Sequence, residues 1–332
     1  MYKKSNLREF IFGLPCLNET YPKLYRLPPR IFKKLSKAIQ NLCRNLSGTR
    51  IRFLSKTSKL HFSAKVPRLS SLDNFSRNGQ FGIDLYLNRK YYETYYQKKK
   101  IDHWFEFDSS QLYEFEIYLP IYGALEEIWI ESEGEFLPPS PYLYKEPLIF
   151  YGSSITQGGC ADRPGMSYTA ILERKLNLDF VNLGFSGNGL GDFPIAEYIA
   201  ETPAKAIILD WGANWIRRLG YNEFCQRYEK FIRIIRERQP TTPILLLNLP
   251  KVGDEVKFQR VRDYVKKFRD HVIEVFEKLK KEGDENLFLG NDLNFIPLDD
   301  EVSTVDGTHP NDFGFIKYAE GIEKLLKQMK IV

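Results

Sequence analysis

Two rhythms of apolar positions divide this chain. From about Thr49 to Glu131, hydrophobic and polar residues alternate in short segments: 49-TRIRFLS-55, 58-SKLHFSAKV-66, 81-FGIDLYLN-88, 103-HWFEFD-108 and 112-LYEFEIYLP-120. A period of two, rich in β-branched and aromatic residues and broken by Gly, Asn, Ser and Pro, predicts antiparallel strands with one buried face. A block of such strands is expected to close into a sandwich or jelly roll. After residue 147 the rhythm changes. Short apolar runs, 147-PLIFYG-152, 179-DFVNLG-184, 205-KAIILD-210, 243-PILLLNLP-250 and 287-LFLG-290, alternate with longer amphipathic stretches. In 221-YNEFCQRYEKFIRIIRERQ-239, Phe224, Tyr228, Phe231, Ile232 and Ile235 recur at helical spacing. Strand and helix repeated in this way predict a parallel sheet covered on both faces. Chemistry in such sheets gathers at the carboxyl ends of the strands.

The expected architecture is therefore α/β, with a three-layer α/β/α domain on a parallel sheet preceded by an antiparallel, jelly-roll-like β-sandwich. The stretch 132-SEGEFLPPSPYLYKEP-147 holds four prolines and a glycine and reads as the linker. It divides the chain into an accessory domain at 1–145 and a second domain at 146–332. At 332 residues the chain is long enough for two cores without disulfides or metal.

Charge changes this picture little. The net charge of +5 arises from 48 basic and 43 acidic residues that are interleaved, which describes a mixed solvated surface and no nucleic-acid partner. The basic run Lys98-Lys99-Lys100 follows 91-YYETYYQ-97, a pairing expected of a charge-protected strand edge. Cys16, Cys43, Cys160 and Cys225 show no CxxC pair and no metal-ligand spacing, so free thiols in a reducing compartment are expected. The N-terminus carries no signal-peptide pattern and no run reaches the ~18 apolar residues of a membrane span. The expectation is a cytoplasmic protein, or a secreted one if the N-terminus was trimmed, with no membrane partner.

Candidate chemistry sits at the predicted strand ends. In 151-YGSSITQGGC-160, Ser153 and Ser154 follow the first strand of the second domain, where a side chain is presented at the sheet edge. The loop lacks the GK[ST] of a phosphate-binding loop and the GxSxG of the α/β-hydrolase elbow. A serine nucleophile needs a base, and the base an orienting carboxylate. Of four histidines, His61 and His103 lie in strands and His271 in a charged helix. His309 lies in the polar loop 305-VDGTHPNDFG-314, before the amphipathic stretch 313–329, with Asp306 three residues upstream. An oxyanion needs preorganised donors. The loops 182-NLGFSGNG-189 and 210-DWGANW-215 offer Gly187 and Asn214.

Serine, glycine and asparagine after successive strands, with D-x-x-H before the last helix, form an ordered set that resembles the SGNH hydrolases, the GDSL-type esterases and lipases, over about 147–332. The stretch 82-GIDLY-86, with 26-RLP-28, 51-IRF-53, 152-GSSITQGG-159 and 163-RPGMSY-168, resembles the subset that carries an N-terminal GxDLY-type β-sandwich. The resemblance implies Ser154 as nucleophile, Asp306 and His309 as its partners, and an oxyanion hole of Ser154, Gly187 and Asn214. Two positions depart from the family pattern. Ser153 stands where an aspartate is usual, and Trp215 follows Asn214 where an aspartate is usual, a place to reshape the pocket floor or offer an aromatic platform. The implied activity is hydrolysis of short acyl, above all acetyl, esters of small molecules or oligosaccharides through an acyl-enzyme, with no cofactor and no metal. Acyl transfer to a sugar hydroxyl and catalytically inactive glycan binding are the alternatives.

Overall fold

The computed structural model describes residues 2–4, 6–67 and 72–332. The alternating block forms one antiparallel sheet from β1 (Tyr2–Lys4), β2 (Ile11–Phe12), β3 (Arg50–Lys65), β4 (Ile83–Leu87), β5 (Lys90–Tyr95), β6 (Lys100–Tyr118) and β7 (Glu126–Ser132). Its order is β1-β7-β3-β6-β4-β5, with β2 beside β3. The segments 49–55 and 58–66, expected as two strands, are the single strand β3; 103–108 and 112–120 are likewise joined in β6. An irregularity between Thr57 and Lys59 explains why they read as two. The inward positions of β3 switch there from odd (Ile51, Phe53) to even (Leu60, Phe62, Ala64), so one pleated face stays buried while the alternation in sequence breaks. β5 is one edge of the sheet, where Lys90, Tyr91 and Tyr92 are exposed; of the lysines expected to protect an edge, Lys98 and Lys99 lie exposed in the turn that follows β5 and Lys100 opens β6.

The second half forms a parallel sheet of β8 (Leu148–Gly152), β9 (Phe180–Gly184), β10 (Ala206–Asp210), β11 (Ile244–Leu247) and β12 (Leu287–Gly290), in the order β12-β11-β10-β8-β9. These five strands start within a residue of the apolar runs in the sequence. The helix Tyr221–Arg238 buries Phe224, Tyr228, Phe231, Ile232 and Ile235, the five positions set by its periodicity. Because the chain goes from β8 out to β9 and then back past β8 to β10, the crossovers on either side of β8 diverge. That divergence opens a crevice at the carboxyl ends of β8, β9 and β10.

The two halves are welded by buried polar contacts rather than joined by a loose linker. Asp84 of 82-GIDLY-86 is fully buried; it accepts from Arg163 Nη1 at 2.9 Å and from the Gly165 N–H at 2.8 Å, anchoring the 163-RPGMSY-168 turn. Arg26 is buried as well and donates to the Gly184 carbonyl at 2.7 Å and the Asn182 carbonyl at 3.1 Å, bracing the end of β9. The apolar side chains Cys16, Leu27, Ile31, Leu35, Ile39 and Cys43 pack into the core of the parallel-sheet half. The four cysteines are free thiols. Among the described residues no helix is long and apolar enough to cross a membrane.

Candidate active site

β8 ends at Gly152, and Ser154 opens a single helical turn, Ser154–Gln157, that folds straight back over the strand end. Only glycine at 152 permits this. A Cβ there would lie 2.0 Å from Thr156 Oγ1 and 2.2 Å from the Asp210 carbonyl oxygen. Thr156 Oγ1 also donates to Asp210 Oδ2 at 2.9 Å, tying the serine turn to the end of β10. Burial pushes the Asp210 carboxyl up to about 7, against the hydroxyls of Thr156 and Tyr168, which favour its charged form. The folded protein thus keeps a proton that the unfolded chain releases near pH ~4. That contribution to stability is full below the ordinary carboxylate range and is lost as pH rises towards 7. Asp210→Asn should remove this slope. The melting temperature of the wild-type protein should fall relative to that of Asp210→Asn as pH rises from 4 to 7, and parallel curves would show that Asp210 is ionised in the fold.

His309 reaches the serine from the other end of the chain. Its Nε2 lies 2.9 Å from Ser154 Oγ, and its Nδ1 lies 2.8 Å from Asp306 Oδ2. The other oxygen of Asp306 accepts from the backbone N–H groups of His309 at 2.8 Å and Thr308 at 3.0 Å. The loop closes on itself through the Val305 N–H to the His309 carbonyl, and Asn311 caps the following helix, Asp312–Gln328, by accepting from the Gly314 N–H. Burial pushes the Asp306 carboxyl up, but the His309 and Thr308 N–H groups and the imidazole outweigh it and hold it below the usual carboxylate range. An ionised Asp306 accepting from Nδ1 leaves Nε2 facing the serine as an acceptor.

The donors expected for an oxyanion converge on the same cavity. Ser154 occupies the first position of its helical turn, where a backbone N–H has no helical partner. Gly187 follows β9 with φ +68° and nothing within 4 Å of a built Cβ, so its backbone lies open to the cavity. Asn214 follows β10; its Oδ1 accepts from the Gly189 N–H at 2.9 Å, which turns Nδ2 outward as a donor. Ser153, Ser154, Gly187, Asn214, Asp306 and His309 all line one cavity of about 330 Å³. The loops that the sequence singled out are thus brought to one cavity by the fold.

Three features escape the sequence. Asn74, from the antiparallel half, donates to Asp306 Oδ2 at 3.1 Å, on the same oxygen that meets the imidazole. Phe75 sets its ring edge-on against His309, with centroids 5.7 Å apart. Both lie in a loop between strands, with no motif or periodicity to single them out. Trp215, expected at the pocket floor, turns away: its indole N–H donates to the Leu190 carbonyl at 3.1 Å and it is not among the residues lining the cavity. The wall aromatic is Phe75 instead. Among the described residues no group of three or more His, Cys, Asp or Glu is placed to hold a metal ion.

A doubly wound sheet carries Ser, His and Asp in hydrogen-bonded sequence at its switch point, the arrangement that serine acyl-transfer chemistry uses. Residues 145–327 match the GDSL-like lipase/acylhydrolase family, and residues 5–135 match the N-terminus of the SGNH-hydrolase-type esterases. The chain belongs to the GDSL-like lipase/acylhydrolase family. No curated protein sequence matches it. Among solved structures, it is similar to a protein of Bacteroides ovatus called a GDSL-like lipase, at 28% identity and TM-score 0.89, covering 99% of this chain and 97% of that one. The salicylyl-acyltransferase of a tetracycline biosynthetic pathway shares the fold over 100% of this chain and 98% of its own, at 22% identity and TM-score 0.83. A family two carbohydrate esterase from Clostridium thermocellum, solved with cellohexaose, shares it over 87% and 94%, at 15% identity and TM-score 0.66.

Proposed function

We propose that the protein is a serine esterase that removes short acyl groups, above all acetyl, from carbohydrate esters. The observation that carries this reading is the unbroken Ser154–His309–Asp306 relay, with contacts of 2.9 and 2.8 Å. His309 Nε2 takes the Ser154 proton as Oγ attacks the ester carbonyl. The resulting oxyanion is held by the Ser154 and Gly187 N–H groups and by Asn214 Nδ2. When the carbon–oxygen bond breaks, His309 hands its proton to the leaving alcohol, and then activates the water that releases the acid. The cavity of about 330 Å³, with Phe75 as its aromatic wall, suits a short acyl group. No part of this sequence of steps requires a cofactor.

Hydrolysis of p-nitrophenyl acetate and of acetylated oligosaccharides, abolished in Ser154→Ala, tests the reading; binding of glycans without turnover would replace it with a non-catalytic role. Asn214→Ala should lower kcat by about 10²–10³, the usual cost of one oxyanion donor. A loss under threefold would remove Asn214 from the oxyanion site. The full-length likeness to an acyltransferase supports a second reading, in which a sugar hydroxyl replaces water as acceptor. Product ratios that depend on acceptor concentration would favour it.

A further inference from the structure

Beyond the catalytic cavity lies a second, larger one of about 990 Å³. The two are contiguous, because Arg217, Val252, Asp306 and Thr308 line both. Asn214 and Arg217 are three apart on the short helix Ala213–Arg217, so they share a face, and the oxyanion donor and a guanidinium look into the same space. The neighbouring Arg218 is engaged, donating to the Gly187 carbonyl at 3.0 Å. Arg217 has no hydrogen-bond, ion-pair or ring partner among the described residues. Two further cations, Lys257 and Arg260, line the second cavity, whose remaining walls include Ile216, Val261 and Tyr264. The carboxylates facing these cations are Asp306, committed to His309, and Asp254, which lies 3.7 Å from Lys257 with both side chains exposed. The cleft therefore carries uncompensated positive charge next to a serine nucleophile.

The position of the cleft assigns it to one half of the substrate. The leaving oxygen must receive its proton from His309 Nε2, so the alcohol departs past the His309 loop. Asp306, Gly307 and Thr308 of that loop form the near wall of the second cavity. Resting on the esterase reading above, we propose that this second cavity holds the alcohol half of the substrate, and that Arg217 selects alcohols bearing an anionic group, a carboxylate or a phosphate, on a body whose apolar face lies against Ile216 and Val261. A guanidinium pairs with either anion in two-pronged fashion.

Three matched acetyl esters test this: acetylated glucuronic acid, acetylated glucose 6-phosphate and acetylated glucose. One or both anionic esters should exceed the neutral one in kcat/KM by roughly 10-fold or more at low salt, with the advantage shrinking as ionic strength rises. The better anionic ester identifies the group. In Arg217→Ala the anionic-to-neutral ratio of kcat/KM should fall by roughly 10-fold, mainly through KM, and Arg217→Lys should restore part of it. Equal kcat/KM for all three esters, or an unchanged ratio in Arg217→Ala, overturns the anion preference. Turnover of p-nitrophenyl acetate that depends on Ser154 reports separately on the esterase reading and on folding, so its absence would strike that reading and not this one alone.

Discussion

Ser154→Ala and His309→Ala are each expected to lower kcat by roughly 10⁴ to 10⁶, and the double variant should lose little more than either single one. The physical reason is that the two groups perform a single act. Without the imidazole the Ser154 hydroxyl is a poor nucleophile at neutral pH; without the hydroxyl the imidazole has no proton to take. The 2.9 Å separation of Ser154 Oγ and His309 Nε2 is what makes them one unit. Single-turnover kinetics on p-nitrophenyl acetate would measure both losses. A double variant that loses the product of the single effects would show the groups acting independently and would break the proposed relay. Neither substitution should disturb the fold, since each removes a side chain that lines the cavity and belongs to none of the hydrophobic cores.

Asp306→Asn should cost about 10⁴ in kcat although it changes one atom. Oδ1 of Asp306 already accepts two backbone N–H groups, so the amide oxygen of an asparagine is held there. Its NH₂ group then occupies the place of Oδ2, where it meets His309 Nδ1 and the donor amide of Asn74. Donor faces donor at Asn74, and the imidazole can keep its contact only by turning its Nδ1 lone pair inward. The proton then sits on Nε2, pointing at a serine that needs an acceptor. The same bonds make a pH-dependent contribution to stability, because the folded carboxyl lies below its ordinary range. That contribution is complete above the ordinary carboxylate value of ~4 and is lost as pH falls through the lower folded value. A loss of activity under 10-fold in Asp306→Asn would show that the orientation of His309 is set elsewhere.

Much of this site can be read in the sequence because each residue sits next to a strand or helix that the hydrophobic pattern locates. Ser154, Gly187 and Asn214 each follow a short apolar run, and a parallel sheet brings the ends of such runs to one edge. His309 and Asp306 are three apart in one loop, so their contact is local. The unreadable part is what comes from outside that sheet. Asn74 and Phe75 lie 232 and 234 positions from their partners Asp306 and His309, in a loop with neither period nor motif. Trp215 follows Asn214 immediately, and sequence order alone suggests that it shares the pocket; the helical turn of Ala213–Arg217 instead points it at Leu190 and brings Arg217 round to the face of Asn214. The continuity of β3 and β6 was hidden for a related reason, since an irregularity in register reads in one strand as a gap between two.

By itself, then, the sequence determined which half would be antiparallel and which parallel, and which residue types stand at the strand ends. Those properties depend on hydrophobic period and on short-range order, and both are written along the chain. Only the tertiary structure decided that the antiparallel half supplies Asn74 and Phe75 to the site, that the halves are locked through Asp84 and Arg26, and that Arg217, whose side chain has no partner among the described residues, overlooks a second cavity. Contacts between residues hundreds of positions apart depend on how finished elements pack, and packing is set by the shape of whole surfaces, which no local pattern records.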